Sequence, residues 1–213
     1  MVSSLRDPIS GLTHLIAAVL AVFATIFLIQ RSMDPFMPWH IVTFSIFGGG
    51  MILLYTASTL YHWLPLSEKG IRALRRVDHS MIFFYIAATY TPICLIPLRG
   101  PWGWSIFGVV WGLALGGITM KIFWLNAPRW FSTAIYLAMG WLVLVGIYPL
   151  VQALSTPALA WLVAGGVAYS VGAVIYAVKW PDPIPKHFGF HEIFHLFVIG
   201  GTVCHFVVMY CYV

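Results

Sequence analysis

Seven apolar runs, each close to the length of a bilayer crossing, divide this chain from end to end and leave no stretch for a soluble domain. They lie near 11–30, 39–62, 78–97, 102–124, 131–149, 157–178 and 191–212. An α-helix needs about twenty predominantly apolar residues to cross the hydrocarbon core. Inside that core every backbone polar group must be satisfied within the protein, so helices are the structure open to such runs. Most boundaries carry helix breakers: Met33-Asp34-Pro35, Pro65 with Gly70, Arg99-Gly100-Pro101, Asn126-Ala127-Pro128, Thr156-Pro157 and Pro181-Asp182-Pro183-Ile184-Pro185. The expected fold is an all-α membrane protein, a single seven-transmembrane-helix domain over residues 1–213.

Composition supports a lipid-embedded chain. Charged residues make up 8% of the 213, with 61% hydrophobic and a mean hydropathy of +0.92; a soluble domain carries about 25% charged residues. The net charge of +5 is therefore not read as a nucleic-acid signal. Basic residues instead set orientation, because cytoplasmic loops are enriched in them. Arg6, Lys69, Arg72, Arg75, Arg76, Lys121, Arg129, Lys179 and Lys186 fall on the N-terminal side of the expected bundle, and only Arg31 and Arg99 on the other. That asymmetry predicts a cytoplasmic N-terminus and an outside C-terminus. The first run is of spanning length, and the polar segment before it is short, so a cleavable leader is not expected. Cys94, Cys204 and Cys211 sit inside apolar runs without a CxxC pair, which argues against a disulfide framework or a cysteine zinc site.

Glycines cluster mid-run at Gly48-Gly49-Gly50, Gly116-Gly117, Gly165-Gly166 and Gly200-Gly201. Small residues at such positions let helices approach closely in lipid. Pro92 should kink the third run. No internal repeat of the kind that builds many secondary transporters is visible. No series of ionisable residues crosses the expected bundle, which disfavours a channel.

The ionisable residues that do lie in the runs converge. Ser58 and His62 end the second run, Asp78 opens the third, and His191 and His195 open the seventh. With seven spans in order, all three junctions share the cytoplasmic face, where such groups mark function. His191 and His195, four apart, project from one helix face about 6 Å apart. With His62 they form a three-histidine set that leaves a fourth position open, the pattern of catalytic zinc. Histidines without thiolates favour zinc, though iron, cobalt or nickel also suit them. Ser58, one turn before His62, and Asp78 are placed near the ion's water, whose pKa zinc lowers to about 7. Asp78 then serves as general base. His14, near the inner end of the first run, is a candidate supporting group. His40 lies at the other end, His79 is read as pointing away from Asp78, and His187 lies in a loop. His205 is placed about 15 Å deeper than His195, too far for the same ion.

His191-Glu192-Ile193-Phe194-His195 also matches H-E-x-x-H, the zinc metalloprotease signature with glutamate as base. No carboxylate side chain follows Glu192, and Gly201 stands where the metzincin extension needs a histidine. An intramembrane protease could recruit Asp78 as a ligand, but that leaves His62 without a role. This is the alternative enzymatic reading, with Glu192 as a further candidate residue.

Tyr55-Thr56-Ala57-Ser58-Thr59-Leu60-Tyr61-His62, Asp78-His79 and His191-Glu192-Ile193-Phe194-His195, set across seven runs, resemble the hemolysin III family, the bacterial branch of the progestin and adipoQ receptor superfamily. The resemblance covers nearly the whole chain. It implies zinc on His62, His191 and His195 at the cytoplasmic side, with Asp78 and Ser58 around the water. Relatives in that superfamily, adiponectin receptors and alkaline ceramidases, are linked to hydrolysis of lipid amides such as ceramide. Where the family often has an acidic residue, an asparagine and a histidine entering the first span, this chain has Asp7, Ser10 and His14. Glu192 stands where relatives tolerate other residues.

Together these readings predict an integral protein of the bacterial inner membrane. It would act as a zinc-dependent hydrolase on a lipid or amphiphile amide or ester entering from the bilayer, with membrane lipids as partners and no nucleic acid. The non-enzymatic alternative is a structural zinc in a membrane-state modulator or receptor-like protein.

Overall fold

A computed structural model of the chain describes residues 5–184 and 188–213. Lys186 and His187, which figure in the sequence reading, lie outside the described residues. The described residues form eight α-helices: α1 (Pro8–Arg31), α2 (Pro38–Trp63), α3 (Glu68–Leu95), α4 (Pro101–Phe123), α5 (Arg129–Gly140), α6 (Ile147–Ala153), α7 (Thr156–Val178) and α8 (Phe190–Tyr212). A 3-10 segment, Trp141–Gly146, joins α5 to α6 as one rod. Among the described residues there is no β-strand beyond a single bridge between Ile184 and Phe188.

Six of these rods, all but α3, are long and apolar enough to cross a membrane, so the chain is a multi-pass membrane protein by its make-up. The reason α3 differs is its position. Every residue from Ala87 to Leu95 is buried, so this half of the helix is walled by protein rather than lipid. There, polar side chains are tolerated where they find partners. Thr91 bonds the Ala87 carbonyl (2.9 Å) and accepts from Trp111 Nε1 (3.1 Å). The Tyr90 hydroxyl lies 2.9 Å from the Met139 carbonyl and 2.7 Å from that of Gly140, and accepts from the Val143 N–H at 2.9 Å. Those three backbone groups flank the point where α5 gives way to the 3-10 segment, so Tyr90 satisfies backbone groups at the break. The expected single helix over 131–149 is thus two helices and a tighter turn.

The expected start of the third run, near 78, is corrected to Glu68. Ser67 caps that helix by accepting from Gly70 N (3.4 Å), so Gly70 sits in the first turn and not in a break. Arg72, Arg75 and Arg76 therefore lie on a helix. Hydropathy locates lipid-facing residues, whereas arginine and lysine are good helix formers outside the lipid.

Cross-helix contacts fix which ends meet. The Asp7 N–H donates to the His62 carbonyl (2.9 Å), pairing the start of α1 with the end of α2. Lys121, near the end of α4, donates to Ser132 in α5 (2.6 Å), and Arg129 opening α5 donates to the Tyr176 carbonyl near the end of α7 (3.1 Å). At the other end His40 Nε2 lies 3.0 Å from the Val213 carbonyl, and the Arg31 guanidinium lies 5.3 Å from the centre of the Tyr210 ring.

Members of the glycine clusters differ in how closely they pack: Gly48 sits against Thr25 as Gly50 does against Ala88, and Gly166 makes only ordinary contact with Trp141. A Cβ on Gly50 would meet Ala88 Cβ at 2.8 Å, and one on Gly201 would meet the Tyr169 ring. Gly117 is closed by Phe83 and Gly165 by His205. Gly49, Gly116 and Gly200 face open space. Only the members on the contact face are needed for close helix approach.

Candidate metal centre

Three imidazoles meet at the end of the bundle where α1 starts and α2 ends. One nitrogen from each of His62, His191 and His195 lies within 4.8 Å of the other two. His62 Nε2 and His191 Nε2 are 3.1 Å apart. The edge of a tetrahedral zinc site with bonds near 2.05 Å is about 3.3 Å, so this spacing fits two ligands of one ion. His62 is 4% exposed and His195 2%, while His191 is half-buried.

The far nitrogens of two of these rings are held, which fixes their tautomers. His62 Nδ1 lies 3.1 Å from Asp7 Oδ2, and a carboxylate there accepts the Nδ1 proton. That leaves the Nε2 lone pair pointing at its partners. Thr13 donates its hydroxyl to the Ser10 carbonyl (2.8 Å), so its 3.3 Å contact with His195 Nδ1 has the imidazole as donor. Again Nε2 is left as acceptor. Carboxylate and hydroxyl partners of this kind orient metal-binding histidines and raise their basicity. The donor set therefore suits a borderline cation such as zinc.

His14 stacks on His195 with ring centres 3.6 Å apart and an angle of 9°. Both of its ring nitrogens are buried without a hydrogen-bond partner among the described residues. Glu192 is turned to other work. Its carboxylate accepts from the Ser10 hydroxyl and from the Gly189 N–H (2.8 Å), tying α1 to the first turn of α8. With both oxygens engaged, it makes a poor base for the H-E-x-x-H reading.

The histidines open onto a cavity of about 420 Å³. His191, His195 and His14 line it, as do Ser58 and Asp78, with His62 packed behind. Ser58 is 2% exposed and lines the cavity from α2. Asp78 is not among the metal-spaced donors; it faces the same space from α3. Chemically, the arrangement offers a cation site, a carboxylate and a hydroxyl around one enclosed volume.

One expectation needs correction. His79 does not point away: its Nε2 lies 4.0 Å from Asp78 Oδ2 and it lines the cavity. The helix starts ten residues early, and the cavity is broad enough to take both neighbours. His205 stands outside the metal-spaced donors, as expected, yet it too lines the cavity, against Gly165 and the Tyr169 ring (5.4 Å). Above the histidines, Thr202 Oγ1 gathers three tyrosine hydroxyls, from Tyr55 (2.6 Å), Tyr85 (3.2 Å) and Tyr169 (2.9 Å). Sequence reasoning named Asp7 only as the acidic residue entering the first span, without its contact with His62, and missed Thr13, whose only signal was its position beside His14.

The "Haemolysin-III related" family model matches residues 3–206. The chain is 42% identical over 204 residues to the "Hemolysin-3 homolog" of Bacillus subtilis (strain 168), covering 95% of this chain and 92% of the relative. It is 41% identical to "Hemolysin-3" of Bacillus cereus over 206 residues, 96% and 90% of the two chains. At greater distance, the "Monocyte to macrophage differentiation factor" of Homo sapiens is 26% identical over 207 residues, 94% and 81% of the two chains. A match of that extent, together with these relatives, makes this chain a member of the Haemolysin-III related family.

Proposed function

We propose that this protein crosses the bacterial inner membrane seven times, binds Zn²⁺ through His62, His191 and His195, and hydrolyses an amide or ester bond of a lipid or amphiphile. The observation that carries the reading is the histidine cluster itself, three imidazoles within 4.8 Å, opening on a cavity that Asp78 and Ser58 also line. In this reading α3 is also a span, the third in order, bringing the six apolar rods to seven, and it is kept polar because protein surrounds it. The N-terminus is cytoplasmic, as the distribution of basic residues favours, and the metal centre lies on that face.

Zinc held there would supply a Lewis acid for a carbonyl and would acidify water. The rest falls to the chain. Asp7 and Thr13 keep the ring nitrogens of His62 and His195 in the ligating tautomer. Asp78 accepts the proton of the attacking water. Ser58 donates a hydrogen bond where negative charge develops on the carbonyl oxygen. His14, stacked on His195, excludes water from its inner side.

Metal analysis of purified wild type beside His62→Ala and His191→Ala tests the centre: about one equivalent of zinc in wild type and little in either variant is expected. Equal zinc in all three would end the reading. Asp78→Ala then separates hydrolysis from a structural zinc. Loss of lipid-amide or ester turnover in proteoliposomes with zinc retained supports the enzyme. Retention of the deletion strain's complemented phenotype would favour the structural alternative, which draws on the way the cluster joins α2 to α8 behind α1.

A further inference from the structure

The cavity has a second wall that the histidine centre does not use. Arg75 in α3, Lys121 at the end of α4 and Arg129 at the start of α5 all line it, each delivered by a different helix end. Lys121 is 2% exposed. A lysine one turn from the end of a membrane helix ordinarily extends its ammonium to the interface; this one is folded inward and donates to Ser132 Oγ at 2.6 Å. Arg129 lies over the Tyr176 ring (4.6 Å), and that ring is itself 5.8 Å from His191, so the cations and the histidines are one ring apart.

None of these three cations has a carboxylate partner among the described residues. The chain has six Asp and Glu residues. Asp7 is taken by His62 and Arg6, Glu68 by Arg72, and Glu192 by Ser10 and Gly189. Asp182 lies against Gly189, and Asp34 stands in the turn after α1, at the other end of the bundle. Of the six only Asp78 lines the cavity, and its ion-pair contact among the described residues is with His79, at 4.0 Å, and not with Arg75, Lys121 or Arg129. A buried cation such as Lys121, whose recorded partner is a neutral hydroxyl and not an anion, is costly. A second polar group is also left over: Thr133 Oγ1, on the same cavity wall one turn after Arg129, is buried without a hydrogen-bond partner among the described residues.

We infer that Arg75, Lys121, Arg129 and Thr133 bind the oxyanion of an amphiphile, a carboxylate or phosphate, whose chain fills the apolar remainder of the cavity. Arginine forks and a lysine ammonium match such oxygens by charge-assisted hydrogen bonds. The apolar remainder, with Leu54, Ile82, Ile86, Leu137, Phe194 and Val198, suits an alkyl chain. This deepens the proposed function, since it assigns an anionic class to the molecule that enters the hydrolytic cavity, and it rests on that reading only for the chemistry performed there.

The test is equilibrium binding to the purified full chain in neutral detergent, using hexadecanoate, hexadecyl phosphate, hexadecanol and inorganic phosphate, with zinc content measured on the same samples. Wild type should bind the two anionic amphiphiles at least about tenfold tighter than hexadecanol, as expected for charge-assisted bonds. Lys121→Met and Arg129→Gln should bring that ratio near parity without loss of zinc, and Lys121→Arg should keep it. Should Lys121→Met fail to fold, Arg129→Gln and Lys121→Arg still decide. Equal binding of acid and alcohol by wild type would overturn the inference, as would an unchanged ratio in Arg129→Gln. Inorganic phosphate that competes at the amphiphile's own affinity would overturn the lipid part and leave a site for the free ion. His62→Ala separates the two ideas. If it loses zinc yet keeps the anion preference, the cationic wall is the receptor; if the preference goes with the zinc, the metal was the anion's partner and the inference fails. A wild type without zinc that still prefers the acid would sink the proposed hydrolase and leave this site standing.

Discussion

Two walls of one cavity are built on opposite principles. On the α1–α2–α8 side the polar groups around the metal-spaced histidines are paired before any ligand arrives: Asp7 with His62, Thr13 with His195, Glu192 with Ser10 and the start of α8, with His14 stacked on His195 the exception among the described residues. On the α3–α4–α5 side Arg75, Lys121 and Arg129 share a surface with no carboxylate in contact and a buried threonine hydroxyl left over. A prepaired wall suits a resident cation whose ligands must be held to fractions of an ångström. An unpaired wall suits a visitor that comes and goes.

That contrast can be broken at several points. The largest effect is expected from His62→Ala, which should abolish zinc binding; retention of one zinc per chain would show that the paired wall is not a metal centre. Asp7→Ala should follow, with metal affinity down by about 10–100-fold, the usual cost of removing a partner that orients a ligand histidine; competition with a chelator of known affinity measures it. An unchanged affinity would mean that the Asp7 contact merely caps α1. Lys121→Met should raise the thermal midpoint of the ligand-free protein, because it removes a buried cation that lacks an anion. A lower midpoint would show that the cation is structurally satisfied after all. Gly117→Ala should destabilise by pressing on Phe83, while Gly116→Ala should be neutral or better by up to about 1 kcal/mol from helix propensity. Thermal melts in one detergent compare them. Tyr90→Phe should cost about 0.5–1.5 kcal/mol, for the hydrogen bonds it makes where α5 breaks.

Much of this was legible from the residues, for identifiable reasons. Apolar length and breakers placed most helix ends within about three residues, because the hydrocarbon thickness fixes how long a run must be. The histidine triad was legible because an i, i+4 pair and a histidine at the same bundle end leave few other arrangements. The start of α3 was not, since Arg72, Arg75 and Arg76 look like a loop to a hydropathy reading. Tyr90's hold on the break in α5 joins residues about fifty positions apart, which no local pattern encodes. The roles of Asp7, Thr13 and His79 were lost for the same reason: each depends on which neighbour stands across the helix interface.

The amino-acid order alone determined that the chain is a bundle of apolar helices and that His62, His191 and His195 gather at one end of it, because span length and helical period are local properties. Tertiary structure decided the rest. Only packing sets which carboxylate reaches which imidazole, which glycines of each cluster are closed by a neighbour, and that Lys121 turns into the cavity instead of toward the interface. Those outcomes depend on distances between segments far apart in the chain, and such distances exist only once the helices have met.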